Sequence, residues 1–549
     1  MQKLFSSLAV TALASSLALA FSAHAATGLP VVQEAPLRAH LAFLSNDLLE
    51  GRGTGQRGAD LTVAYLETQA QMAGLQPVRG NSYRQSVRIA GVKSLPQESS
   101  LHAVAGGKAV PLAFGPDWVW ATGDSVAAHT FDAPLVFVGY GITAPEEGWN
   151  DFKGVDVKDK IVVMMVNDPQ PTSAEPNRFA GKSLTYYGRW VYKYEEALRQ
   201  GAAGVLLIHT TASASYPWSV PANGFGHERF NLAGAGNAME GWLQEDMART
   251  LFQAGGQDLD ALRAQAETRE FRPVALNATV KVALNSQIRS IEQFNVAGIV
   301  PGTDPKLKDE AVIYSAHWDH LGKDDDGGSR GGQSDHIYNG AIDNASGAAA
   351  LLAMAQVAVK QPARRTQIFL WPAGEETGML GSTAYTRKPL WPLAKTAADL
   401  NLDSMNFVGK THDIGVAGAE RSSLYASAAK VAKRMGLRLA PTIPDLSGAF
   451  YRADHFAFAK AGVPAFNVGS AVFSGDGSFD FVKEPKASGE RLVAFKKDYH
   501  QVSDEYHPSW DLSGMLQQAQ FTLNLGYEVA NDKNLPTWNK GEAFGKVKR

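Results

Sequence analysis

The chain has 549 residues, of which 45% are hydrophobic and 19% charged, and its formal net charge is −3. This is the composition of an ordinary globular protein, and the length predicts more than one domain. With near-neutral charge and no basic run, we expect neither a nucleic-acid partner nor an anionic membrane partner.

The sequence contains no cysteine. This excludes disulfide bonds, catalysis by a thiolate, zinc sites built from cysteine, and attachment to a membrane as a bacterial lipoprotein. Any bound metal ion must therefore be held by histidine, aspartate and glutamate side chains.

The first 25 residues are predicted to be a secretory signal peptide. "MQK" gives a positive start, "LFSSLAVTALASSLALAF" is an apolar stretch, and "SAHA" places Ala23 and Ala25 in a cleavage site. We expect cleavage after Ala25 and a periplasmic or secreted protein. No later stretch has the roughly 18 consecutive apolar residues of a spanning helix, so no stable membrane insertion is expected after cleavage.

The next elements in chain order are helical and then β-rich. "APLRAHLAFLSNDLLEGR" and "GADLTVAYLETQAQMAGL" have helical periodicity, and "GRGTGQRG" between them predicts a flexible break. From residue 117 onwards, "APLVFVGYGI", "KIVVMMVND", "AAGVLLIHT" and "ATVKVALN" predict strands, with a helix at "WVYKYEEALRQG".

The second half of the chain alternates strands and helices. Strands are predicted at "NVAGIVPG", "AVIYSAH", "TQIFLWPAG", "AADLNLDS", "HDIGVAG" and "PAFNVG", and helices at "SGAAALLAMAQVAVK" and "LYASAAKVAKRMG". This alternation predicts an α/β fold with a doubly wound, mainly parallel sheet.

Acidic residues and histidines lie near the ends of these predicted strands. They are His317 and Asp319 after "AVIYSA", Asp343 before a helix, Glu375 and Glu376 after "TQIFL", Asp403 after "AADLNL", and His500 late in the chain. In an open α/β sheet, ligands bind beyond the carboxyl ends of the strands. Two histidines and three carboxylates suit two zinc ions when one carboxylate bridges them. The glutamate pair then supplies one ligand and one general base for a water.

Each of these motifs has an ordinary structural explanation when it is taken alone. A His-x-Asp pair is commonly structural, "DNASG" resembles a helix cap, and two adjacent glutamates after a strand are typical of a solvated loop. The ordered set of motifs at strand ends favours a functional site.

The sequence resembles the two-zinc metallopeptidase family 28. The resemblance is carried by "SAHWDHLG", "YNGAIDNASG", "PAGEETGMLGS", "LNLDSMN" and "YHQVSDE", in that order. It implies a zinc-dependent exopeptidase-like fold, with a peptidase domain of residues 26–116 and 290–549. Residues 117–289 resemble a β-rich protease-associated domain inserted in many members, especially at "GVDVKDKIVVMM" and "EEALRQGAAGVLLI".

The resemblance also implies a role for each ligand of two Zn²⁺ ions per chain. It assigns His317 and Asp403 to one ion, Glu376 and His500 to the other, and Asp343 to both. His320, His336, His455 and His507 are not expected to be ligands.

The remaining site residues follow from the same resemblance. Glu375 is expected to be the general base, and Tyr499 to stabilise the oxyanion or to be simply a packed aromatic. Asp319 and Asp504 are expected to orient ligand histidines. Arg452 and Asp454 are candidate substrate contacts, or members of structural ion pairs.

The implied function is an aminopeptidase that removes N-terminal residues from peptide substrates. One alternative is a carboxypeptidase or dipeptidase of the same family, which needs a cationic cluster for the substrate carboxylate. Glutaminyl cyclase uses one zinc, and a receptor-like binding protein has a degenerate site, so the complete ligand set disfavours both. The sequence does not specify an oligomeric state.

Overall fold

The computed structural model describes residues 31–214, 216–234, 236–324, 335–469 and 480–549. The predicted signal peptide lies outside these ranges. Within them, no helix combines the length and the apolar character needed to cross a lipid bilayer.

The secondary structure of the described ranges is mixed. The α-helices are α1 (Glu34–Leu44), α2 (Arg57–Ala73), α3 (Trp190–Arg199), α4 (Thr211–Ala214), α5 (Ser219–Gly224), α6 (Glu245–Ala254), α7 (Leu259–Ala266), α8 (Ser346–Ala358), α9 (Leu380–Arg387), α10 (Leu424–Arg434), α11 (His455–Lys460), α12 (Pro485–Phe495) and α13 (Ser513–Asn531). The strands are β1 (Gln76–Pro77), β2 (Arg84–Ser94), β3 (Ser100–Ala105), β4 (Lys108–Val110), β5 (Trp118–Ala121), β6 (Ala128–Phe137), β7 (Thr143–Ala144), β8 (Trp149–Asn150), β9 (Ile161–Met165), β10 (Gly204–His209), β11 (Arg229–Leu232), β12 (Met239–Gln244), β13 (Val274–Val300), β14 (Ala311–Ser315), β15 (Gly322–Lys323), β16 (Ile337–Tyr338), β17 (Thr366–Trp371), β18 (Thr396–Leu402), β19 (Asp413–Ile414), β20 (Arg438–Leu439) and β21 (Ala465–Val468).

The predicted doubly wound α/β architecture is confirmed in the second half of the chain. Strands β21, β18, β14 and β17 lie side by side in that order, and each neighbouring pair is parallel. Helices α1, α8 and α13 contribute to the hydrophobic core that contains Val312 and Tyr314 of β14. Ile313, which points the other way, packs in a second core with residues of α9 and α11. Helices therefore cover both faces of this parallel sheet.

A single long strand, β13, joins this half of the molecule to the inserted region. It pairs antiparallel with β17 through Val296–Val300 and antiparallel with β6 over residues 274–285. Beyond β6, strands β9, β10 and β12 continue the sheet in parallel, and β5 forms its antiparallel end. The inserted region thus extends the same sheet with parallel strands, and hydrophobic cores lie on both faces of this extension.

The long strand differs from the sequence prediction of two separate strands, "ATVKVALN" and "NVAGIVPG". The domain boundary predicted between residues 289 and 290 falls inside it. Residues 100–110, which were assigned to the peptidase domain, form β3 and β4 and pack in a core of the inserted region. The assignment of this region as a protease-associated domain remains a prediction.

Candidate active site

The strand ends bring most of the predicted site residues together. His317 follows β14, Glu375 and Glu376 follow β17, and Asp403 follows β18. These three strands are parallel neighbours, so their carboxyl ends meet at one edge of the sheet. Asp343 lies in the turn that leads into α8.

His317, Asp343 and Asp403 form the first candidate metal group. Nε2 of His317 lies 3.3 Å from Oδ1 of Asp343 and 3.5 Å from Oδ1 of Asp403. This nitrogen is buried and makes no hydrogen bond to any described residue. Buried polar atoms rarely stay unpaired. An imidazole nitrogen and carboxylate oxygens that converge in this way fit a zinc ion.

The second candidate metal group uses the other oxygen of Asp343. Nε2 of His500 lies 3.2 Å from Oδ2 of Asp343 and 3.0 Å from Oε2 of Glu376. Asp343 therefore directs one oxygen to each group, which is the arrangement that a bridging carboxylate needs.

His320 also enters this second group, although the sequence analysis did not expect it to be a ligand. Its Nδ1 lies 2.6 Å from Oε1 of Glu376. Its Nε2 is buried without a described hydrogen-bond partner. His320, Asp343 and Glu376 have ligand atoms close enough to hold one ion. The motif "HWDH" contained this signal, since its second histidine, His320, directly follows Asp319 after the end of β14.

The two adjacent glutamates have opposite electrostatic environments. Burial, with the nearby carboxylates of Asp403 and Glu376, raises the pKa of Glu375 well above its ordinary value, against the opposing charge of His317. Burial also raises the pKa of Glu376, but His500 and His320 outweigh it and lower this pKa to about 2. Neighbouring carboxyls whose pKa values diverge are suited to different roles.

Two further aspartates hold the loops of the site. Asp319 accepts hydrogen bonds from the backbone N–H groups of Glu375 at 3.0 Å and Glu376 at 3.3 Å, and its Oδ1 is 3.8 Å from Nδ1 of His317. Asp504 was expected to orient a histidine. Its carboxylate accepts hydrogen bonds from the backbone N–H groups of Ile342 and Asp343, and burial raises its pKa to about 6 while the charge of His320 lowers it.

A buried arginine, Arg52, contacts the loops that carry the candidate ligands. The sequence analysis did not identify it. Its guanidinium donates to the backbone carbonyl oxygens of Trp318, Asn339, Gly340 and Leu44. These bonds tie together the loops that carry His317 and Asp343. The positive charge also lies within electrostatic range of four site carboxylates.

Arg52 belongs to the segment "GRGTGQRG", which was predicted to be a flexible break. Gly51, Arg52 and Gly53 are buried instead. Gly51 has φ +65°, and a Cβ there would lie 2.3 Å from the carbonyl oxygen of Gly322. The glycines thus permit close packing and a left-handed backbone, not flexibility.

A cavity of about 830 Å³ opens onto the carboxylate cluster and is lined by both halves of the molecule. Tyr499 lines it and stacks on His500, with ring centroids 3.9 Å apart. Burial raises the pKa of Tyr499, so its hydroxyl stays protonated at neutral pH.

The two candidate substrate contacts have different positions in the structure. Arg452 lines the cavity. Asp454 is fully buried, and it is absent from the cavity wall formed by the described residues. Neither residue makes a salt bridge within the described part of the chain. Burial raises the pKa of Asp454 to about 7.

The sequence is similar to a known protein family and to curated proteins. The model of "Peptidase family M28" matches residues 295–523. A probable leucine aminopeptidase of Arthroderma otae is 27% identical over 194 residues, which are 33% of this chain and 47% of that protein. Probable leucine aminopeptidase 1 of Trichophyton verrucosum is 25% identical over 229 residues, 41% of this chain and 53% of that protein. The chain spans about half the length of these curated relatives.

Two solved structures with low sequence identity also match this chain. An aminopeptidase from Aneurinibacillus sp. strain AM-1 has a TM-score of 0.46 at 17% identity, covering 92% of this chain and 95% of that chain. The zinc aminopeptidase BSAP of Bacillus subtilis has a TM-score of 0.44 at 18% identity, covering 95% of this chain and 100% of that chain.

Proposed function

Because the model of peptidase family M28 matches residues 295–523, we propose that this protein is a zinc-dependent aminopeptidase that holds two Zn²⁺ ions. Its substrates would be peptides with a free N-terminal amine. The observation that carries this proposal is Asp343, whose two oxygens contact His317 and His500 in two separate groups of ligand residues.

The proposed ligands are divided between the two groups. His317 and Asp403 would hold one ion, Glu376 and His500 the other, and Asp343 both. His320 would fix the second oxygen of Glu376 through the 2.6 Å contact. When bound, zinc supplies Lewis-acid chemistry and lowers the pKa of a water molecule.

Protein side chains would carry the proton transfers. Glu375, which lines the cavity beside the ligands, would accept the proton of the attacking water and deliver it to the leaving amine. The protonated hydroxyl of Tyr499 would donate a hydrogen bond to the developing oxyanion. Asp319 would keep Glu375 in place through the backbone contact at 3.0 Å.

The proposal predicts that each chain binds two metal ions. Elemental analysis of the purified active enzyme should find close to two equivalents of zinc or a similar transition metal per chain. A chelator should abolish turnover, and added zinc should restore it. Fully active enzyme with a stable content near one equivalent would contradict the bridged site.

The end of the peptide that is attacked provides a separate test. The buried carboxylates attract a positively charged amine, so acetylating the N-terminus of a peptide should abolish its hydrolysis. Rates of the free and acetylated forms of the same peptide would be compared by chromatography. Equal rates would favour a carboxypeptidase or an endopeptidase.

We also propose that the mature protein is periplasmic or secreted. The support is the N-terminal pattern of a positive start, an apolar stretch and an Ala-His-Ala cleavage site. Sequencing the N-terminus of the exported protein should give Ala26 as its first residue.

A further inference from the structure

The candidate metal site is contacted by a segment that lies outside the region matched by the family model, residues 295–523. Residues 45–53 lie between α1 and α2 and include Arg52, which is 1% exposed. Its guanidinium donates hydrogen bonds to the carbonyl oxygens of Trp318 at 2.7 Å, Asn339 at 2.6 Å and Gly340 at 2.9 Å. One planar group therefore contacts two loops that are separate in sequence.

These carbonyl groups lie close in sequence to two of the proposed ligands. Trp318 directly follows His317, and Gly340 is three residues before Asp343, the proposed bridging carboxylate. Nε2 of His317 and Oδ1 of Asp343 are 3.3 Å apart. The hydrogen bonds of Arg52 thus act on the relative position of these two ligands.

Other bonds fasten the same two loops to residues 45–53. The side-chain amide of Asn339 donates to the carbonyl oxygen of Ser45 at 2.9 Å and to Oδ1 of Asp47 at 2.8 Å. The backbone N–H of His320 donates to the carbonyl oxygen of Arg52 at 3.4 Å. The short segment before α2 therefore supports both ligand loops, and the Arg52 side chain contacts both.

The backbone around Arg52 has an unfavourable conformation. Arg52 has φ +54° and Glu50 has φ +49°, values that residues with a side chain rarely adopt. Such conformations persist where the surrounding contacts enforce them, and they are concentrated at functional sites. The strained turn is what directs the guanidinium of Arg52 to the carbonyl groups of the ligand loops.

The charge of Arg52 also acts on the site. Burial lowers the pKa of Arg52 to about 10, against the opposing charges of Asp504, Asp319, Asp343 and Glu376, so the guanidinium is charged at neutral pH. A nearby positive charge favours the ionised form of a carboxyl group. Arg52 therefore helps to keep these carboxylates ionised and close together in the metal-free protein.

We propose that Arg52 is a positioning residue for the metal centre, which holds the loops of His317 and Asp343 at the separation that two ions require. This inference rests on the two-metal site proposed above and extends it to a residue outside the matched region. Arginine suits this role because its rigid, planar fork of N–H groups can bond several carbonyl oxygens at once, whereas lysine offers a single nitrogen atom.

The first test measures zinc binding directly. Metal-free wild type and variants are titrated with Zn²⁺ in competition with a chromophoric chelator. Because groups that orient metal ligands typically contribute about 10- to 100-fold to metal affinity, Arg52→Gln should weaken the binding of at least one ion by that factor. Arg52→Lys keeps the charge but not the fork, so its affinity should fall nearly as far. Wild-type affinity in either variant would overturn the positioning role.

Thermal unfolding separates positioning from a merely structural role. A bound metal stabilises the folded state by an amount that depends on its affinity. The rise in Tm that zinc produces should therefore be smaller in Arg52→Gln than in the wild type, when calorimetry is done at the same zinc concentration. If the substitution lowers the Tm of the metal-free and zinc-loaded proteins equally, Arg52 is structural only and the inference is wrong.

Arg365→Gln is the matched control. Arg365 is also fully buried, donates to the carbonyl oxygens of Val529 and Asp532, and pairs with Glu310 at 2.7 Å. It directly precedes β17, whose opposite end leads to the glutamate pair. Its replacement should lower both Tm values and leave zinc affinity unchanged. An equal loss of zinc affinity in Arg365→Gln would attribute the effect of Arg52 to general destabilisation and overturn the inference.

A milder variant decides the question if Arg52→Gln does not fold. Asp47 is exposed, and Asp47→Ala removes one of the two acceptors of the Asn339 side chain. Since one hydrogen bond contributes about 2- to 10-fold to an equilibrium, zinc affinity should fall by that factor, and unchanged affinity would contradict the inference. Wild-type protein that binds fewer than two zinc ions would instead refute the two-metal site of the proposed function.

Discussion

Replacing Glu375 by Gln should lower kcat by about 10²- to 10⁴-fold, the range expected for loss of a general base. The amide keeps the shape of the side chain but cannot accept the proton of the attacking water. Because Glu375 is not among the proposed ligands, both metal ions should stay bound. Steady-state kinetics and elemental analysis on the same preparation measure the two effects together.

Glu376→Gln is the matched control for this prediction, since it alters the adjacent residue in the same loop. It removes an anionic ligand that contacts His500 and His320, so one ion should bind more weakly and added zinc should restore part of the activity. Loss of metal in Glu375→Gln with full occupancy in Glu376→Gln would reverse the two assignments. Near-normal activity in both variants would remove the pair from the mechanism.

Asp343→Asn should have the broadest effect on the metal site, because Asp343 contacts both groups. Changing residues that merely support a ligand typically weakens metal binding about 10- to 100-fold, and loss of a shared ligand should exceed this for both ions. We expect kcat/KM to fall at least as far. Metal content after gel filtration, with and without zinc in the buffer, would measure the loss.

The control for Asp343→Asn is Asp399→Asn. Asp399 is a buried carboxyl on β18, four residues before Asp403, and burial raises its pKa well above its ordinary value. Because burial disfavours the charged carboxylate, the neutral Asn side chain of similar shape should be tolerated there, and metal content should remain near two. Circular dichroism of both variants would separate loss of metal from loss of fold. Two tightly bound ions in a folded Asp343→Asn variant would contradict the bridging role.

Much of the fold was predictable from sequence because buried parallel strands are short apolar runs between helical segments. The runs around Ile313, Phe369 and Leu400 correspond to β14, β17 and β18. Strand β2 was missed because "RQSVRIAGVKS" mixes charged residues and a glycine with its apolar positions. The joining of two predicted strands into β13 depends on pairing with distant partners such as β2 and β6, which a local pattern does not contain.

The candidate ligands were predictable for a related reason. The sheet fixes where strand ends meet, so His317 and Asp403 could be expected to lie together before any contact was known. The contacts of Arg52 and His320 were not predictable in this way. Each depends on loops that are far apart in sequence, and their residue types are equally common on exposed surfaces. The burial of Asp454 was likewise not predictable, because it depends on how the segment before α11 packs in the folded molecule.

The continuity of β13 has a consequence for how the molecule unfolds. One strand supplies backbone hydrogen bonds to sheets in both halves, so neither half can lose this strand without breaking bonds in the other. We therefore expect the two halves to melt in one cooperative transition, unlike domains that are joined by a linker. Excising residues 117–289 would cut the strand and remove the segment that pairs with β3. We therefore expect the inserted region to be a structural part of the whole fold and not a detachable module.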